Sequence, residues 1–499
     1  MRAIRRARAA SGDRELRLWR VGRALTVTFA AAVLAAGSVF YTLIVLLDFQ
    51  EIDTAAKLDA KTLFDIVKLS FGVVAGAGAL VALVVAYRRQ RVDEAGAHRE
   101  ATRLHTERFS QAVDKLGSDS PAVRLGGVHA LAGLADDAPD DSLRQTCIDV
   151  LCAYLQLPFT PDPGDDPSHQ EEHHHYLALR KVRHTILRLI GDHYRRPRGT
   201  HRSWQGCDLD LTGVIIDGDM DFGGAVFSGG RVSFNGATFS GGRVSFGGVV
   251  FSGGEVSFDD VTFSGGRVSF DGATFSGGRV SFGGVVFSGG EVSFDGATFS
   301  GGEVSFGGVV FSGGEVSFGI AVLFGGDLDF GGAVFSGSRV SFGRARFSGG
   351  AVSFRGARFL GGRVSFDHAT FSGGRVSFDG ATLSGGRVFF GGEVSFSGTG
   401  GEVSFSGVVF SGGRVSFDGA TFSGGRAYFN NVEFSGGAVS FERARFSSAE
   451  VYFDRARFSG GAVSFSRATG PAPRGLLDAV GTPPPVSVII PRAWLTTNP

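Results

Sequence analysis

Residues 234–275 read FNGATFSGGRVSFGGVVFSGGEVSFDDVTFSGGRVSFDGATF. Phenylalanine falls at alternating intervals of five and seven, as Phe234, Phe239, Phe246, Phe251, Phe258, Phe263, Phe270 and Phe275, and the pattern runs from Phe222 to Phe465. So short a period marks a solenoid, in which each unit buries its apolar face by stacking on its neighbours. In the extended triplet V-S-F, alternation sends Val244 and Phe246 to one face and Ser245 to the other. The triplet A-T-F does the same with Ala237 and Phe239 inward and Thr238 outward. The D-G and S-G-G pieces supply corners, because glycine adopts backbone angles that other residues resist. Stacking would set phenylalanine over phenylalanine at about 4.8 Å, each burial contributing roughly 1.5–3 kcal/mol. The eight phenylalanines named above are the expected core ladder.

Two geometries fit the alternation. Two twelve-residue units can close one four-sided coil of twenty-four, giving about ten coils and a rod of roughly 50 Å. One unit per coil would give a flatter, two-sided tower about twice as long. The four-sided form is the one expected. Two places break register: Phe318, Phe324 and Phe330 are spaced six and six, and Phe390, Phe396 and Phe405 six and nine. The second predicts a bulge near Gly398, Thr399 and Gly400. Prolines at 471, 473 and 483–485, then VSVII and Trp494, read as a cap over a coil end that would otherwise invite edge pairing.

The 79 glycines and 48 phenylalanines depart far from globular usage, yet the glycine is locked to a period, which argues for order. Charge balances, with 49 basic and 49 acidic residues, so no global pull toward nucleic acid follows. Three cysteines, Cys147, Cys152 and Cys207, read as buried reduced thiols.

Upstream, residues 24–47 and 69–87 are apolar runs of about bilayer length. Arginine crowds the chain before the first and follows the second at Arg88, Arg89 and Arg91, whereas the connecting loop 48–68 carries Asp48, Glu51, Asp53, Asp59 and Asp65. The first run is too long for a signal-peptide core. Positive flanks stay inside, so the expectation is two transmembrane helices in a permanent hairpin anchor. A basic N-terminus (1–23) and the solenoid would both lie in the cytoplasm, giving a multi-pass protein of the cell membrane with the lipid bilayer as a partner. Gly72 and Gly76 form a small-xxx-small face for transmembrane packing.

Residues 88–203 read as a helical neck. Ser118, Asp119, Ser120 and Pro121 offer a helix start, followed by Val123, Leu125, Val128, Leu131 and Leu134 near helical spacing. A second amphipathic helix runs through Leu143, Cys147, Ile148, Leu151 and Leu155. After a proline-rich linker come His169, His173, His174 and His175. Two of these share a helical face, but three adjacent histidines cannot converge on one ion, so a solvated helix start is the better reading. Val182, Ile186, Leu189 and Ile190 supply a stripe suited to closing the first coil.

Residues 204–227 (WQGCDLDLTGVIIDGDMDFGGAVF) and the array that follows resemble the pentapeptide repeat proteins, in particular a membrane-anchored actinobacterial group; the resemblance reaches upstream to RFSQAVDKLGSDSPAVRLGGVHAL at 108–131. It implies a right-handed, four-sided β-helix over 204–466 with a central aromatic on each face, followed by the cap at 467–499. The expected fold class is therefore α+β. The family also includes acidic, soluble DNA mimics that bind topoisomerase, but acids exceed arginines only up to Phe330, and Arg344, Arg346, Arg355 and Arg358 reverse the balance beyond it. No nucleophile–base pairing, phosphate loop or metal spacing stands out. The functional expectation is a non-enzymatic scaffold or interaction rod with no cofactor, no metal, no nucleic acid and no small-molecule substrate. Its partner is an unknown protein or further copies of itself, and the topoisomerase-binding mimic and the self-assembling rod are the alternatives.

Overall fold

A computed structural model describes residues 60–164, 166–390, 395–396, 401–447 and 450–495, with isolated positions between 26 and 41. The chain divides into two units, Met1–Leu104 and His105–Pro499.

The first unit holds most of helix α1, Ala60–Leu116. The expected first span, residues 24–47, lies for the most part outside the described residues. The expected second span, 69–87, is the middle of α1. Among the described residues no helix is long and apolar enough to cross a membrane. That overturns the two transmembrane helices of the expected fold class and the multi-pass placement in the cell membrane. Helix α1 continues without a break through Arg88, Arg89, Arg91, Asp93 and Glu94.

In the second unit, α2 (Pro121–Asp136), α3 (Asp141–Gln156) and α4 (Gln170–Tyr194) form the neck. Pro121 opens α2 where a backbone N–H would have no partner anyway. Asp140 caps α3 by accepting from the Leu143 N–H at 2.9 Å. Val128, Leu131 and Ala135 of α2, Ile148, Leu151 and Leu155 of α3, and Val182, Ile186 and Ile190 of α4 are buried together.

Beyond the neck the chain winds as short parallel strands in two sheets. Strand partners lie twenty-four residues apart, as Thr274↔Thr298, Val286↔Val310 and Glu291↔Glu315. Each coil therefore consumes two twelve-residue units and has four short faces, giving a solenoid of about 11 turns. Alternation places the aromatic ring of each face inside. Phe234, Phe239, Phe246, Phe251, Phe258, Phe263, Phe270 and Phe275 are all buried. Rings stack one coil apart, Phe234 on Phe258 at 4.8 Å and Phe239 on Phe263 at 4.7 Å. Two of the four columns also interlock edge to face, as Phe246 against Phe258 at 5.4 Å and 87°.

The spacing of six and six at Phe324 is not a register fault. Leu323 takes the core position between Phe299 and Phe347, and Phe324 points outward, 64% exposed, where other coils carry serine. The second irregularity is real: Val376↔Val403 and Val388↔Val415 are twenty-seven apart, so one coil holds three extra residues. Phe396 keeps register with Phe371 and Phe422, which puts one extra residue before it and two after. Gly398, Thr399 and Gly400, where a bulge was expected, lie outside the described residues.

The far end is covered. Val488–Ile489 pairs with Ala462–Ser464, and Trp494 seats on Phe465 and Phe446, both at 5.8 Å, while its indole N–H donates to the Gly470 carbonyl at 2.8 Å. One internal flaw stands out. Ser338 replaces the second glycine of a G-G corner and its buried hydroxyl has no hydrogen-bond partner among the described residues. Leaving such a group unpaired costs about 1–3 kcal/mol, against about 0.5–1 kcal/mol of extra backbone entropy for glycine. Ser338→Gly should therefore raise stability by about 1 kcal/mol, read as a higher denaturant midpoint at unchanged slope.

Candidate interaction surfaces

The base of the tower is closed by α4. Gly191 lies so near the first coil that a Cβ there would come within 2.8 Å of the Asp221 carbonyl. Tyr194 packs on Phe227 at 5.1 Å, and Trp204 stacks on His193 at 4.1 Å while donating to Asp136 at 3.1 Å. Asp217, on the first coil, gathers three groups of α4: Tyr176 through its hydroxyl, Arg180 Nε at 3.1 Å and His184 Nε2 at 3.4 Å. Burial alone would raise the Asp217 carboxyl, but bonds from His184 and Tyr176 and the Arg180 charge outweigh it and hold the carboxyl low. Burial and the bond to Asp217 push the Tyr176 phenol up to about 12.

A carboxylate held low in the folded state stabilises fully above its unfolded pKa of about 4, and that contribution disappears as pH falls through the lower folded value. Asp217→Asn should remove this acid dependence and weaken the neck–tower junction by about 2 kcal/mol. Faster hydrogen exchange across 182–190 and 209–221, with the distal coils unchanged, would show it.

Beside this junction lies a cleft of about 700 Å³ lined by Lys181, His184, Arg188, Arg195, Arg243 and the carboxylates Asp192, Asp219 and Asp221. Its charges are largely spent internally: Arg195 on Asp192 at 2.8 Å and Asp221 at 2.9 Å, and Arg188 on Asp192 at 3.3 Å. His173 is bonded to Asp162 at 2.7 Å. Among the described residues no group of His, Cys, Asp or Glu is arranged to hold a metal ion. Burial pushes Cys147 and Cys207 up to about 11 and Cys152 up to about 12, so none is a ready thiolate at neutral pH. Gly72 and Gly76 are exposed on α1, and a Cβ at either would meet no described atom within 4 Å.

Along the tower, polar residues bind coil to coil. Asp259 accepts from the Ser281 hydroxyl and from the Gly283 N–H at 2.8 Å. Asp295 does the same with Ser317 and Gly319, and Asn235 with Ser257 and Asp259. The repeated Asp is thus a corner pin whose oxygen is already occupied. His368 stands at a corner that needs a left-handed backbone, with φ +60.

Two outward columns carry the variable charge. One runs Arg231, Glu255, Arg279, Glu303, and later Arg375, Glu402, Arg426, Glu450, alternating in sign from coil to coil. Ion pairs join Arg231 to Glu255 at 3.5 Å, Arg279 to Glu303 at 3.2 Å and Arg426 to Glu450 at 3.3 Å. The other contains Arg267 bonded to Glu291 at 2.6 Å and Arg339 bonded to Glu315 at 2.9 Å. Each exposed pair is worth about 0–1 kcal/mol, so the columns shape the surface potential more than they hold the coils.

Four-faced parallel coils with an aromatic centre on each face define a β-solenoid, a class whose architecture points to interaction or structural roles. Residues 330–382 and 424–469 match the family described as pentapeptide repeats, in nine copies. The match is to the repeat itself, not to a membrane-anchored actinobacterial type. Pentapeptide-repeat solenoids are generally non-enzymatic. No curated protein and no solved structure matches the chain.

Proposed function

We propose that this chain is a protein-docking scaffold, with the tower surface as its working part. The observation that carries the reading is a division of labour within the repeat. Inward rings, corner glycines and Asp–Ser pins supply coil-to-coil cohesion, while the outward positions vary freely among Arg, Glu, Ala, Thr and Tyr at fixed register. Variation confined to exposed positions of a rigid frame suits recognition of a partner surface.

The topoisomerase-binding mimic is disfavoured by the same surface. Duplex mimicry requires sustained negative potential, yet Glu255, Glu291, Glu303 and Glu315 are each bonded to an arginine one coil away. Purified full-length protein should leave topoisomerase supercoiling activity unchanged. Crosslinking mass spectrometry in the native host should join a different protein to the outward columns. Crosslinks joining only copies of this chain would replace the docking reading with a self-assembling rod.

A further inference from the structure

We propose that the face carrying Arg339, Arg363, Arg387 and Arg414 docks an acidic protein segment that also places an apolar side chain against Phe389. This rests on the docking reading above and names the chemistry of the partner.

The four arginines occupy successive coils in direct register, Arg339↔Arg363, Arg363↔Arg387 and Arg387↔Arg414. Like charges directly opposite on a sheet repel; the repeat often meets an arginine with a glutamate one coil away, and elsewhere in this column like charges stand opposite only in twos, Arg243↔Arg267 and Glu291↔Glu315. Arg339 is bonded to Glu315, but Arg363, Arg387 and Arg414 have no ion pair among the described residues, and all three are exposed. Nothing in the fold demands them: Ala438 and Ala462 follow in the same column. The unpaired run is an exposed strip of positive charge with no counter-charge among the described residues.

A second departure from the repeat falls on the same face. Phe389 stands where the coils on either side carry Ser365 and Ser416, it is only half buried, and the Arg363 guanidinium lies 5.6 Å from its ring centre. A solvent-facing ring beside three unpaired guanidinium forks matches a carboxylate-bearing segment with an apolar residue among its acids, since the forks bind carboxylates in pairs.

Charge geometry favours protein over nucleic acid. The run spans four rungs, about 14 Å, and is bounded on one side by Glu315 and Glu291 and on the other by Ala438 and Ala462. A phosphate backbone longer than a few nucleotides would run onto those glutamates. The tower also has no lysine to broaden the positive field.

The test uses the full chain and a fluorescein-labelled twelve-residue peptide of alternating Glu and Leu, with polarisation as the readout. Binding that weakens as salt rises is expected. The double variant Arg387→Ala/Arg414→Ala should weaken it at least tenfold, and Phe389→Ser, which restores the repeat's own residue, several-fold. Arg279→Ala, which removes an arginine already paired to Glu303, should leave it unchanged. Circular dichroism spectra matching wild type would establish that the variants fold. The proposal is overturned if wild type does not bind, if the double variant binds as well as wild type, or if a twelve-nucleotide single strand binds more tightly than the peptide. Native partners crosslinked equally to wild type and double variant would sink the arginine face while leaving the docking reading intact.

Discussion

Gly314→Ala should destabilise the tower by about 3–5 kcal/mol, and Gly308→Ala, six residues away, by only about 1–2 kcal/mol. Both glycines have a left-handed backbone, φ +72 and +67. They differ in what a side chain would meet. A Cβ at Gly314 would lie 2.2 Å from the Gly290 carbonyl of the preceding coil, whereas one at Gly308 meets no described atom within 4 Å. That carbonyl cannot retreat, because it accepts from the Glu315 N–H at 3.0 Å. The chain itself contains the control: the position equivalent to Gly308 on other half-coils is filled by Asp260, Ile320, Arg344 and His368, all with positive φ. Its second corner glycine is replaced at Ser338, which does not adopt the left-handed backbone of the others. Denaturant unfolding of the full chain gives the two costs. Equal losses at the two sites would show that coil-to-coil contact is not what the G-G pair protects.

The coil was legible in the sequence because its signal is periodic twice over. Phenylalanine at five and seven gives the inward positions, and the near-identity of successive pairs of units gives the stack. Where reading failed, a spacing had two solutions. Phe318 and Phe330 are twelve apart with Leu323 and Phe324 between them, and an aromatic filter selects Phe324. The structure selects Leu323, because only that residue continues the V-L strand in register with Phe299 and Phe347. The outward placement of Phe389 has a sequence signal after all: it is the middle residue of the triplet Val388, Phe389, Phe390, and alternation sends the outer two inward.

The surface was less legible. Counting acids treated Asp259, Asp271 and Asp295 as free charge, yet each is bonded to a serine hydroxyl one coil on. The pairing of Arg267 with Glu291, or of Arg363 with Arg387, depends on the twenty-four-residue register. Until the coil length was known, neither the neutral columns nor the unmatched arginine run could be drawn. The membrane expectation rests on the length of two apolar runs, and among the described residues no helix is long and apolar enough to cross a membrane.

Phe294→Ala should cost about 3–5 kcal/mol, and a Leu at the same site should recover only part of it. Phe294 touches four rings: Phe270 and Phe318 stacked at 4.7 Å, Phe306 at 5.4 Å and Phe282 at 6.0 Å edge to face. Phe299, five residues on, stacks on Phe275 at 4.8 Å and meets Leu323 on its other side. The two interlocked columns keep phenylalanine from Phe222 and Phe234 onward, with Leu211 in register only at the first coil, whereas the outer two admit Leu323 and Leu383 in mid-array. An aromatic pair contributes about 0.5–1.5 kcal/mol beyond its buried area, and leucine supplies the area but not the edge-to-face geometry. Phe299→Leu is therefore expected to cost less than about 1.5 kcal/mol, and Phe294→Leu about 2–3 kcal/mol. Because a solenoid couples only neighbouring coils, the loss should appear as faster amide exchange in the strands Thr274–Ser281, Glu291–Ser293 and Glu315–Ser317, with Arg426–Tyr428 unaffected. Equal costs for the two leucine substitutions would mean that buried area alone holds the tower, and that the interlocked columns add no geometry-specific cohesion.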